Sequence, residues 1–147
     1  MAIKASTGLR NAVLASNPLR TALAGGQIRM YAGPVPASAD EAIGAATLLS
    51  TITVNSTGTG INFDAAASGG VIQKAPGEVW SGVNVAGGGA TFYRHVLPAD
   101  DGSLSTTAPR LQGTIGVAGA DLNLSSTTLT AGATQTIDYY SVALPTL

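Results

Sequence analysis

The sequence predicts an all-β fold: an antiparallel β-sandwich, jelly-roll-like, behind a short N-terminal helical segment, with residues 1–147 as a single domain. Three observations predict it. About eight short stretches alternate apolar and polar residues between turn signals, the pattern of sandwiches and barrels. After residue 25 no helical pattern is long enough to carry the chain between parallel strands, so neighbours should run antiparallel. No composition shift and no repeat of fixed period marks a second domain.

The helical segment covers residues 6–25. Ser6 or Thr7 can cap it, and Leu9, Ala12, Val13 and Ser16 then share one face. Asn17-Pro18 restarts the helix, with Asn17 as cap and Pro18 at the first helical position. Leu19, Ala22 and Leu23 repeat the spacing until Gly25-Gly26 stops it. Helical pieces this short are marginal alone. Leu9, Val13, Leu19 and Leu23 must therefore dock, on this chain's own sheet or on a neighbouring subunit.

The strands follow in order. Gln27–Tyr31 alternates and ends at Gly33-Pro34. Ser38–Glu41 fits a capping box and predicts one helical turn running to Gly44. Ala46–Asn55 is a strand with Leu48, Ser50, Ile52 and Val54 on one face and Leu49, Thr51 and Thr53 on the other. Ile61–Asp64 points Ile61 and Phe63 inward, and Val71–Lys74 is another short strand. Glu78–Val85 sets Val79, Val83 and Val85 against Trp80 and Asn84. Gly87–Gly89 should turn it into Ala90–Leu97, the best hairpin candidate of the chain. Leu111, Ile115 and Val117 alternate, with Gly113 and Gly116 as bulge candidates. Asp121–Leu124 and Thr127–Thr130 are short, and Thr134–Ala143 closes the fold.

Charged residues make up 10% of the chain against about 25% in an average domain. The net charge of −1 leaves no electrostatic footprint for nucleic acid or an anionic membrane. A surface of Ala, Gly, Ser and Thr is cheap to desolvate and suits permanent contacts better than a free monomer. Cysteine is absent, which excludes disulfides and thiolate metal sites. The start MAIKASTGLRNAVL has neither a sustained apolar run nor a cleavage site, so secretion is not expected. No apolar run is long enough to span a membrane. Two glycosylation sequons, at Asn55 and Asn123, read as chance matches.

No constellation carries chemistry, so no enzyme, cofactor or metal is expected. His95 is the only histidine, and its strand pattern suits a structural, half-buried residue. Asp100-Asp101-Gly102 reads as a turn, since the remainder of a calcium loop is missing. Gly87–Gly89 lacks the lysine and following helix of a phosphate loop. Trp80, Phe92, Tyr93, Tyr139 and Tyr140 could stack on sugars or bases, but aromatic residues in strands usually fill cores. Tyr139 and Tyr140 face opposite ways, and the outward ring is an interface anchor. The tail Leu144-Pro145-Thr146-Leu147 carries two leucines that need somewhere to bury.

Three stretches carry a family resemblance. GLRNAVL, then ALAGGQIRMYAG with VP after it, then ASADEAIGAATLL resemble the start of small virion proteins from tailed phages, and TQTIDYYSVAL resembles their end. Head decoration (cement) proteins are the nearest functional group. The resemblance spans roughly the first third and last tenth of the chain. It implies a β-sandwich, a homo-oligomer, the major capsid protein lattice as partner, and a place on the virion surface after synthesis in the host cytoplasm. A tail or fibre component is the second reading. A carbohydrate-binding module is the third, and would need Trp80 and Tyr93 exposed together.

Overall fold

The structure, a computed structural model, describes residues 3–146. β1 (Lys4–Ala5), α1 (Thr7–Ala15) and α2 (Leu19–Ala22) lead into β2 (Gln27–Ala32) and β3 (Thr47–Val54). β4 (Val71–Gln73), β5 (Trp80–Val83), β6 (Gly88–Gly89), β7 (Phe92–Val96) and β8 (Arg110–Gly116) follow. The chain closes with β9 (Leu122–Asn123), β10 (Thr128–Leu129), β11 (Thr134–Ile137) and β12 (Ser141–Ala143). With 38% strand and 9% helix the fold is all-β.

One path of strands runs β1-β8-β7-β2-β3-β5-β11, with β9 beside β8. Two ribbons, β6–β10 and β4–β12, stand apart from it. All these pairings are antiparallel except the two-residue contact of β9 with β8. β3 joins the two halves of the path: Thr47–Ile52 pair with β2, while Thr53 and Val54 pair with β5. This order is not a pair of four-stranded sheets, so it does not by itself give a jelly roll. Nor is the expected hairpin present. β5 lies between β3 and β11, β7 lies between β2 and β8, and Gly88-Gly89 forms a ribbon with β10 instead of a turn.

β7 is buried along its whole length, so both of its faces are covered. On one face Tyr93 and His95 meet Phe63, Trp80 and Tyr140 at ring distances of 5.3 to 6.4 Å. On the other face Phe92 stacks on Tyr31 at 5.0 Å, and Arg94 lies beside Gln112 and near Arg110. Loop residues 34–46 and 98–108 close that second face, because their carbonyls accept from its guanidinium and amide groups.

Several local expectations change for physical reasons. Ser6 caps α1 through Leu9 N–H at 3.1 Å, as its position suggests. Pro18, not Asn17, caps α2, using only its carbonyl. Ser38–Glu41 forms no helix. The Asp40 carboxylate instead takes the Thr7 N–H at 2.7 Å and the Thr7 hydroxyl at 2.6 Å, so it caps α1 from across the fold. A bulge between Met30 and Tyr31 in the β2–β3 pairing breaks the alternation of β3, and Leu49 and Ser50 are both buried. Gly113 is not a bulge: it pairs with Tyr93, and a Cβ there would lie 2.7 Å from that ring. The final strand is broken at Asp138–Tyr140, which sends β11 to β5 and β12 to β4.

Candidate functional site

Of the residues considered for chemistry, Asp100 and Asp101 are hydrogen-bonded within the chain, and His95, Trp80 and Tyr93 are buried. His95 is wholly buried, with neither ring nitrogen hydrogen-bonded, and burial pushes its pKa down to about 3. It is thus fully buried where a half-buried residue was expected. The Asp100 carboxylate pairs with Arg110 at 2.5 Å and accepts from Gly102 N–H at 2.7 Å. Asp101 accepts from the hydroxyl and the N–H of Ser103, which hold its carboxyl below the usual carboxylate range. Glu78 is held low although burial opposes it, because Asn62 and the Trp80 indole donate to it. Trp80 and Tyr93 are both fully buried, so they form no exposed stacking pair.

Among the described residues, one wholly apolar feature is a groove of about 330 Å³ beside α1. Its floor is Leu9, from the first turns of α1, with Leu111 of β8 and Val142 of β12. Its walls are Val13 and Leu14 of α1, Leu19 of α2 and Leu144 of the tail, with Ala5 and the stem of Arg10 at the rim. Burial grades along the helix: Leu9 is 1% exposed, Val13 37% and Leu14 85%. The cause lies at the helix start. Gly8 comes so close to the backbone of Thr107 that a Cβ would lie 2.3 Å from its carbonyl oxygen. Asp40 and Ser6 hold the same turn. The helix is therefore pinned at its N-terminus, and its later turns project over the groove. On the opposite side, Leu144 N–H donates to Gly70 O at 3.0 Å, which fixes the tail while its side chain stays 71% exposed.

Of the proposed interface residues, Leu9, Val13, Leu19 and Leu144 come together here. Leu23 does not: it lies wholly inside the chain's own core and offers nothing to a partner. Tyr140 is likewise a core residue at 2% exposure, whereas Tyr139 stands out at 67%. The chain alternates at this pair as expected, but Tyr139 lies between two smaller polar hollows and not in the groove. Leu147 lies outside the described residues. Leu14, Leu111 and Val142 are groove residues that sequence reasoning missed. Leu14 falls off the predicted apolar face, and the other two come from distant strands, so only the fold reveals them. Comparisons with protein-family models, curated proteins and solved structures gave no match.

Proposed function

We propose that this chain is a non-enzymatic structural protein that decorates a tailed-phage head, binding as a symmetric oligomer across joints between major capsid subunits. The groove beside α1 is the observation that carries the reading. Five large apolar side chains from the two stretches that resemble the ends of virion proteins line it: Leu9, Val13 and Leu14 from GLRNAVL, and Val142 and Leu144 from TQTIDYYSVAL. Leu14 and Leu144 are among the most exposed apolar residues and share this groove, where an apolar segment of a capsid subunit would cover both. Low charge density fits a surface built to be covered many times over. Binding only the assembled lattice stabilises that lattice by linkage. Each contact is modest, since a standard interface needs only about 800 Å² per partner, and the array multiplies it.

The test is binding to heads stripped of the protein, with copies counted by quantitative gel analysis and located by electron cryo-microscopy. Wild type should occupy many head sites. Leu14→Asp and a chain ending at Ala143 should fold yet occupy few. Density confined to the tail would favour the tail or fibre reading, and no density on any virion would remove both.

A further inference from the structure

The two ends of the strand path are built differently. β1 at one end is two residues long and carries Lys4, a charge of the kind that keeps sheet edges from pairing. β11 at the other end is Thr134-Gln135-Thr136-Ile137, without charge, proline or bulge in its register with β5. The backbone bonds say which of its groups face outward. Asn55 donates to Val79 O, so the odd-numbered residues of β5 bond toward β3. Asn84 donates to Ala133 O, so the even-numbered ones bond toward β11. Gln135 and Ile137 are then the bonded partners of Gly82 and Trp80, and Thr134 and Thr136 turn their N–H and C=O away from the sheet. Among the described residues these outward groups have one partner: the Gln135 side-chain amide, which donates to Thr136 O at 2.9 Å.

We propose that β11 is a self-association edge, pairing antiparallel with β11 of a second copy about a two-fold axis at Gln135. Thr134 then bonds to Thr136 of the other copy, and Thr136 to its Thr134. Four backbone hydrogen bonds form, and both sheets become one. The occupant is a second copy because the edge is its own complement. Thr-Gln-Thr reads the same in both directions, and no like charges meet, since Asp138 falls opposite Gly132. Gln135 faces Gln135, so each amide can leave Thr136 O, whose place the incoming Thr134 N–H takes. Two-fold pairs of this kind are the commonest closed assemblies. The inference supplies a contact for the symmetric oligomer of the decoration reading, and it concerns the isolated protein, without a head.

The chain's lack of cysteine makes the test direct. Gln135 occupies a non-hydrogen-bonded position on the axis, where Cβ atoms across strands lie about 4.5–5.5 Å apart. Under mild oxidation Gln135→Cys should form a covalent dimer, and Val83→Cys, one strand further in, should not. In sedimentation from about 1 µM to about 1 mM, a span chosen to cover weak pairing, wild type should dimerise. Thr134→Lys/Thr136→Lys should stay monomeric and melt where wild type melts at its lowest concentration. A monomer throughout, a dimer that survives both lysines, or cross-linking at Val83 but not at Gln135 overturns the proposal. Should the lysine variant fail to fold, the cysteine pair decides alone. No virion enters these measurements, so their failure and that of the decoration reading are distinguishable.

Discussion

The two faces of β7 are buried equally and held together by opposite means. On the face of Tyr93 and His95, apolar rings close over polar atoms and leave them unpartnered: both histidine nitrogens and the hydroxyls of Tyr93 and Tyr140. On the face of Phe92 and Arg94, guanidinium groups reach loop carbonyls and one carboxylate. Arg110 alone donates to Asp100, Ala39, Asp40 and Ser103. The first face is an ordinary core that tolerates some polar atoms. The second ties loops 34–46 and 98–108 to the sheet by hydrogen bonds that the loops could not make among themselves. A chain this poor in charge places two of its seven basic residues inside, at 1% exposure each. Arg94 meets only Gln112 and Ser38 O and keeps one terminal nitrogen without a partner.

The largest effect should come from the arginine face. Arg110→Met strands Asp100, whose side chain is 4% exposed, without its cation. Breaking one side of a buried pair costs about 3–5 kcal/mol. Urea unfolding should show that loss, and adding Asp100→Leu should recover most of it, since neither member of the pair is then left as a buried charge without the other. If the single and double variants were equally unstable, the loops would be held by packing and the contrast between the faces would fall.

On the aromatic face the handle is pH. The folded protein keeps His95 neutral down to about pH 3, because burial excludes the charged form, while the unfolded chain takes up the proton near pH 6.5. Between those values the unfolded state binds more protons, so stability falls as pH is lowered, by about 1.4 kcal/mol per unit for this one group. At pH 5 that is about 2 kcal/mol. His95→Phe should remove this share of the acid slope, measured as unfolding free energy at pH 7 and pH 5. An unchanged slope would assign acid sensitivity to carboxylates such as Asp40, which the Thr7 hydroxyl and N–H hold low.

The two faces also differ in how far the sequence discloses them. ATFYRHVL reads as a half-buried strand, because Arg94 and His95 are adjacent and put one polar side chain on each face. Burial of both follows only from what lies above and below, and no local period encodes a loop carbonyl 56 residues away. The same limit explains the hairpin. Valine alternation and three glycines between Glu78–Val85 and Ala90–Leu97 are a sound local signal, but Leu49 O takes the N–H of Val85 and the chain crosses to another partner. All-β class, the Ser6 cap and the split of Tyr139 from Tyr140 were legible, since each depends on neighbours in sequence, whereas the helix stops at Ala22, ahead of the Gly25-Gly26 expected to end it. Of the groove, the helix and tail leucines were legible as apolar residues without an obvious core. Their meeting with Leu111 and Val142 was not.

The smallest expected effect joins a loop to the helix that walls the groove. Asp40 belongs to the loop that seals the arginine face, and its carboxylate caps α1. Removing a capping side chain costs about 1 kcal/mol, and Asp40→Ala should show that in urea. The local consequence should exceed the global one. With Thr7 uncapped, only Ser6 and the close contact at Gly8 hold the helix start. Amide exchange should therefore quicken in residues 7–15 before it does in β7. Uniform quickening across helix and sheet would mean that the helix unfolds only with the whole chain. Selective quickening would mean that the loop on the arginine face sets the order of the groove wall, so that one carboxylate links the two regions.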